Sequence, residues 1–338
     1  MKRFQTQSKY FSLSLKYLIM ITLTSFMMAC GGAKENDTNA KDGTKKDNET
    51  ASNTVNENFT PANIKSNAEL YKTEEYDGLE KALKEPEKVF RMSLLEKGVK
   101  TLPDEMAKLK NLQSLGLGYN PDIDINQAMK VLSQLPNLQE LALGDDSLTT
   151  LPEEIKKLTN LHTIWLDGNP KLDYAQAFTT LNELPKLTEI WVRVNDFKVI
   201  PAEITKMSKL KKLVISDNDI EELPAGFSQL QNLEFIDLSY NKKLNLEKVI
   251  DELAKIKSLK KLHISNCNIK KIPDNIAKLE NLEVLFLNEN LFKTLPIAMK
   301  KLTKLKTLSI IGDKLEPVAA EGLKVLFTQK VMIFRNDK

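Results

Sequence analysis

Histidine and cysteine are nearly missing from this chain, with two of each in 338 residues. The sequence holds no Cys/His spacing suited to a metal, no Ser-His-Asp arrangement and no glycine-rich phosphate loop. No enzyme activity, cofactor or metal is therefore expected. Charge of one sign is lacking too. Lysine and arginine number 49 against 46 acidic residues, and Lys2, Arg3, Lys9 and Lys16 fall in a 29-residue start without acids, leaving 45 against 46. A near-neutral chain offers nucleic acid no net basic face, so nucleic-acid binding is not expected. Long apolar runs are confined to Tyr17 through Met28. That run is shorter than the about 20 residues a helix needs to cross hydrocarbon.

What is there begins with a basic n-region and an apolar h-region that ends at Ala29-Cys30, the layout of a signal peptide over residues 1–29. Met27-Met28-Ala29-Cys30 resembles a bacterial lipoprotein signal, with Met where Leu is commoner. The resemblance implies that Cys30 becomes the first mature residue and carries lipid, palmitate included. Each buried CH₂ of an acyl chain contributes about 0.8 kcal/mol, so the chain would be tethered to a membrane and would not span it. Gly31-Gly32 after the cysteine, in place of Asp, implies delivery to the outer membrane. Lys34-Glu35-Asn36-Asp37 is similar to the surface-export signal of Bacteroidota-like lipoproteins. Display at the cell surface and residence on the periplasmic face both remain open. With Cys30 lipidated, Cys267 stands alone and no internal disulfide can form. Residues 30–58 are polar and charged, with little to bury, and read as a disordered tether. Its typical reach is roughly 30 Å.

Beyond the tether the chain repeats itself. The pattern L-x-x-L-x-L-x-x-N starts at Val89, Leu112, Leu138, Leu161, Leu187, Leu210, Leu233, Leu259, Leu282 and Leu305, at intervals of 23 or 26 residues. The six 23-residue intervals carry an aliphatic-Pro step, at Leu102-Pro103, Leu151-Pro152, Ile200-Pro201, Leu223-Pro224, Ile272-Pro273 and Leu295-Pro296. These motifs resemble the leucine-rich-repeat family, in the 23-residue class LxxLxLxxNxLxxLPxxIxxLxx, over residues 89–315. The fold expected is an α/β solenoid: a ten-repeat horseshoe with a parallel concave sheet and a helical or irregular convex side.

Each repeat position has a physical job. Leu115 and Leu117, or Leu213 and Ile215, alternate inward from a short strand. Asn120, Asn169, Asn195, Asn218, Asn241 and Asn290 end the strand, where a side-chain amide can satisfy backbone groups leaving the sheet. Asp146, Cys267 and Asp313 occupy the same place, and Cys is a family substitute there, so Cys267 is expected to be a buried ladder thiol. The 26-residue repeats lack the proline step, and Leu246, Val249, Ile250 and Leu253 predict a convex helix. Exposed solenoid ends need caps. Residues 59–88 read as a helical N-terminal cap across Leu70–Leu83, broken at Pro86. Residues 316–338 read as a C-terminal cap, with a helix over Pro317–Phe327 and a strand over Val331–Phe334.

His162 and His263 lie four repeats apart, roughly 20 Å at the spacing of sheet strands, too far to act together. The informative surface is the concave one. Position five of the repeat reads Ser93, Gly116, Ala142, Trp165, Trp191, Val214, Asp237, His263, Phe286 and Ser309. Both tryptophans stand there in adjacent repeats, and flat aromatic area flanked by charge is the stuff of binding hot spots. The expected ligand-binding residues are Trp165, Trp191, Arg193, Asp217, Phe235, Tyr240, His263 and Phe286. The partner class is a protein or a glycan, bound for adhesion or recognition. The other reading is a periplasm-facing scaffolding lipoprotein that uses its convex side.

Overall fold

The computed structural model describes residues 64–312, 314–316, 322, 326–327 and 331–334. The expected signal peptide, Cys30, the expected tether, the ladder place of Asp313 and most of the expected C-terminal helix lie outside the described residues.

Twelve strands form one all-parallel sheet in strict sequence order. They are β1 (Glu75–Tyr76), β2 (Arg91–Ser93), β3 (Ser114–Gly116), β4 (Glu140–Ala142), β5 (Thr163–Trp165), β6 (Glu189–Trp191), β7 (Lys212–Val214), β8 (Phe235–Asp237), β9 (Lys261–His263), β10 (Val284–Phe286), β11 (Thr307–Ser309) and β12 (Met332–Phe334). Register follows the repeat, so that Thr163, Ile164 and Trp165 pair with Glu189, Ile190 and Trp191. This is the leucine-rich-repeat solenoid. Successive inward residues such as Leu141, Ile164, Ile190 and Leu213 are fully buried and stack into one continuous core. No repeat could cover that surface alone.

The return path depends on interval length. In five of the six 23-residue repeats the proline sits directly before a short 3-10 turn, as in Asp104–Lys108 and Glu153–Lys157, and in the sixth Ala225 and Gly226 intervene. There its missing N–H costs no hydrogen bond. Three extra residues give the 26-residue repeats an α-helix instead: α3 (Ile125–Leu132), α4 (Tyr174–Asn182) and α5 (Leu246–Leu253). Asp124, Asp173 and Asn245 cap them, each accepting from a backbone N–H three residues on. Leu246, Val249, Ile250 and Leu253 are all buried, as the helical stripe requires. Gln127 and Gln176 turn their amides onto both backbone groups of Leu102 and Leu151 in the preceding repeat, at 2.6–3.2 Å.

The ladder closes the sheet's other side. Asn169 donates from Nδ2 to the carbonyls of Leu143, Leu166 and Asp167 and accepts from the Leu148 N–H. Cys267 substitutes as a buried thiol, with Sγ donating to Leu238 O at 3.3 Å and Ser265 O at 3.4 Å, and burial pushes its pKa up to about 12. A thiol so held is a structural rung and a poor nucleophile.

The N-terminal segment corrects the expectation of one helix across Leu70–Leu83. It breaks into α1 (Asn67–Leu70), strand β1 paired in parallel with β2, and α2 (Leu79–Lys84). The cap is a degenerate repeat that lends the sheet its first strand, because Tyr76 can be buried beside Met92 in register. At the far end β12 pairs with β11 and closes the sheet.

Candidate functional site

Strand residues that do not enter the core face the concave side, at positions three and five of each repeat, and the turn that follows carries position eight. All ten position-eight residues, from Glu96 to Gly312, have φ between 54° and 72°. In that left-handed turn the side chains of Asp217, Tyr240 and Glu289 stand in a column beside the strands.

The concave sheet divides into two stretches. Over β2–β4 the chain's own N-terminal segment leans on it. Lys65 donates its backbone N–H to Gln113 Oε1 at 3.0 Å, and its ammonium stands 4.3 Å from the Phe90 ring centre. Tyr71 donates its hydroxyl to Glu140 Oε2 at 2.9 Å, with the Arg91 guanidinium 4.7 Å from its ring centre. Burial pushes the pKa of Tyr71 and of Glu140 up.

From β5 onward that segment ends and aromatic side chains begin. Trp165 and Trp191 stack with ring centres 6.1 Å apart and 29° between planes. Phe235 meets His263 edge-on at 4.7 Å, and His263 lies against Phe286 at 4.3 Å. Lys212 joins the two groups, its ammonium 4.6 Å from the Trp191 ring centre and 5.6 Å from that of Phe235. Position three, read alongside position five, would have singled out this lysine. The stripe thus runs unbroken from Trp165 to Phe286. Burial between two phenylalanines lowers the His263 pKa to about 4, so its ring is neutral near neutral pH.

Two of the expected contact residues play other parts. Trp191 is only 6% exposed, so it is not an open platform. Trp165 stacks on one side of it, Val214 is its neighbour in the sheet, and the Lys212 and Arg193 cations lie over it. Its role is to hold Trp165 in place, and Trp165 keeps partial exposure. Arg193 is not a surface cation awaiting a partner. Its Nε and Nη2 donate to Asp167 Oδ2 at 3.2 and 3.0 Å, and its backbone N–H donates to Asp167 Oδ1 at 2.7 Å. Burial alone would lower the guanidinium pKa, but the Asp167 charge outweighs it and the net shift is upward.

Asp217 and Tyr240 are exposed in the position-eight column. Desolvation raises the Tyr240 pKa, and the charges of Glu289, Asp217 and Asp237 add to the rise, which places three carboxylates around one accessible phenol. Asp237 and Glu289, at outward positions of the same stripe, stand beside the expected contact residues. Among the described residues no three His, Cys, Asp or Glu side chains converge as metal ligands. His162 and His263 sit at strands four apart, the first bonded to Thr163 and Gln139.

Comparison with known proteins agrees with this geometry. The leucine-rich-repeat family model matches residues 185–242 and 257–315. No curated protein matches the sequence. Among solved structures, the TLR13–ssRNA13 complex is 24% identical over 74% of this chain at a TM-score of 0.55, and this chain spans 40% of it. An internalin (inlF) from Listeria monocytogenes is 19% identical, with coverage of 75% of this chain and 84% of that one, at 0.48. A leucine-rich-repeat protein of Leptospira interrogans is 23% identical, covering 77% and 99%, at 0.35. The chain carries leucine-rich repeats, and its fold is that of a leucine-rich-repeat solenoid.

Proposed function

We propose that this chain is a lipid-anchored protein of the outer membrane that binds a macromolecular partner on the concave sheet from β5 to β10. The observation that carries the reading is the unbroken stripe of Trp165, Trp191, Lys212, Phe235, His263 and Phe286. Aromatic area at the centre of an open surface, ringed by charge, is the composition of a binding hot spot. A partner laid across six strands would cover something near the about 800 Å² per side of a standard interface. The anchor is the proposed lipid on Cys30, and the tether would hold the solenoid clear of the membrane.

The binding fits a protein or glycan better than RNA. TLR13 was solved with single-stranded RNA, but here the column beside the stripe is acidic and would repel a phosphate backbone.

Pull-down from outer-membrane and host-surface extracts, with full-length protein and its Trp165→Ala variant, tests the reading. A partner retained by the parent and lost at least about tenfold by the variant supports it. If every captured partner binds both forms equally, the concave assignment is wrong. Cys30→Ser should move the protein from the membrane fraction to the soluble one. Protease treatment of intact cells then tells surface display from periplasmic residence.

A further inference from the structure

The partner's chemistry can be narrowed from three features of the same face, on the reading that the concave stripe is the binding surface. The first is how the rings are arranged. Trp165 lies on Trp191, and His263 stands between Phe235 and Phe286, so each of these rings already has a neighbouring ring packed against it. A pyranose ring is held by free aromatic faces, whereas aliphatic and aromatic side chains pack well against edges.

The second is an occupant already in place. The Lys65–Tyr71 segment crosses the entry edge of β2–β4 by a backbone N–H on Gln113 and a hydroxyl on Glu140, and it includes the single turn of α1. A polypeptide thus already lies across strands of this sheet, and the open stripe continues in the next strands.

The third is separated charge. On the edge where the strands begin, Glu189, Glu234 and Glu283 are bridged to Lys212, Lys260 and Lys306. Among the described residues, Lys211 and Lys261 have no carboxylate partner, and that edge is left net positive. On the opposite side Asp217 and Glu289 stand in the position-eight column, with Asp237 beside them in the position-five row, and this side is net negative even with Lys242 near Asp217, because Arg193 is taken up by Asp167.

We infer that the occupant is an amphipathic polypeptide helix lying across β5–β10, with an apolar row on the aromatic stripe, basic residues along Asp217, Asp237 and Glu289, and acidic residues along Lys211 and Lys261. Six strands at about 4.8 Å span about 25 Å, the length of a helix of about 17 residues.

The probe is a synthetic helical peptide of about 18 residues with a leucine and phenylalanine row, lysines on one flank and glutamates on the other. Its affinity for the full chain is measured against a scrambled peptide of the same composition. Reversing one edge alone, by Asp217→Lys with Glu289→Lys or by Lys211→Glu with Lys261→Glu, should weaken binding at least about tenfold. Reversing both edges together should restore it, because a helix turned end for end keeps its apolar row down and exchanges its flanks. Unchanged thermal unfolding confirms that each variant folds.

Single-edge variants that bind within about twofold of the parent, or a four-substitution variant that fails to recover, overturn the inference. If Trp165→Ala still weakens the peptide in that case, the concave reading stands and only the charge arrangement falls. If Trp165→Ala also has no effect, both fall. Trp165-dependent binding of neutral cellohexaose in place of the peptide overturns the choice of a polypeptide.

Discussion

The concave sheet is one surface with two characters. Over β2–β4, position five holds Ser93, Gly116 and Ala142, and the chain lays its own Lys65–Tyr71 segment across the strand entry edge. Over β5–β10 it holds Trp165, Trp191, Val214, Asp237, His263 and Phe286, and none of the described contacts of the N-terminal segment reaches that far. The buried residues behind both stretches are alike, aliphatic side chains at the same repeat positions. The difference teaches that the two outward positions of each strand decide what the face does, while the core decides only that there is a face.

The comparison presumes one shared frame, and the most damaging way to break it is to cut the ladder where the two stretches meet. Asn169→Ala leaves the Leu143 carbonyl and the Leu148 N–H without the side-chain partner they have in Asn169, while the Leu166 carbonyl keeps the Tyr174 hydroxyl and Asn195 Nδ2 and the Asp167 carbonyl keeps the Asp145 N–H. Buried polar groups left unmet cost about 1–3 kcal/mol each, so a loss of at least about 2 kcal/mol is expected. In a solenoid, where each repeat touches only its neighbours, the weakened joint should also split one denaturant transition into two. A single transition with less than about 1 kcal/mol lost would mean that the rung is dispensable.

The two stretches also differ in how their odd rungs ionise. Cys267 is a neutral donor at any ordinary pH. Asp146 accepts the Asn120 N–H on Oδ1 at 2.7 Å, but its buried Oδ2 has no partner, and burial pushes its pKa up to about 8. Asn120 and Asn169 donate from the equivalent atom, and only a protonated carboxyl can do the same. A folded pKa above the unfolded value means that the native state holds the proton longer. Stability from this group therefore falls as pH rises from about 4 to about 8, by about 1.4 kcal/mol per unit. Asp145, raised to about 6 by burial, acts in the same sense in the lower part of that window. Between pH 6.5 and 8 Asp146 acts without it. Asp146→Asn should flatten the fall in that interval in thermal unfolding, and a slope that persists in the variant would refute the protonated rung.

The open stretch should respond to pH in the opposite sense. His263 has a folded pKa lowered from 6.5 to about 4, so the unfolded chain takes the proton first and stability is lost as pH falls between those values. The loss is about 1.4 kcal/mol per unit at most, because the two states differ by one proton at this ring. His263→Gln should make stability fall more steeply with rising pH between about 4 and 6.5, where Asp145 and Asp146 act in the opposite sense, and leave the fall between about 6.5 and 8 unchanged. If the variant's curve matches the parent's between about 4 and 6.5, His263 does not carry this contribution.

How much of this could be read beforehand follows from what a repeat makes periodic. Core leucines, ladder asparagines, the proline turns and the Leu246–Leu253 helix recur at fixed offsets, and a repeated constraint is visible in a single sequence. The concave alternation likewise placed Trp165, Phe235, His263 and Phe286 on one surface. What escaped was contact between repeats. That Trp191 is sealed by Lys212, or that Arg193 is claimed by Asp167, depends on side chains 21 to 26 residues apart finding each other. The N-terminal cap escaped for a related reason: Leu70, Leu79 and Ala82 have helical spacing, but β1 between them is a strand only because β2 is there to pair with it.

The subtlest test asks whether the covered stretch can be turned into an open one. Tyr71→Phe keeps the ring against Arg91 and removes only the hydroxyl that Glu140 accepts at 2.9 Å. Glu140 is buried, and it has Ser114 as a further hydrogen-bond partner, so the expected cost to global stability is about 1 kcal/mol. The local effect should exceed the global one. Amide exchange at residues 64–73 should quicken while β5–β10 is unaffected, because the segment is joined to the sheet by few bonds and opens without disturbing the core. Equal changes in both stretches would mean that the N-terminal segment is part of the frame, and the division of the concave face into a covered and an open part would have to be given up.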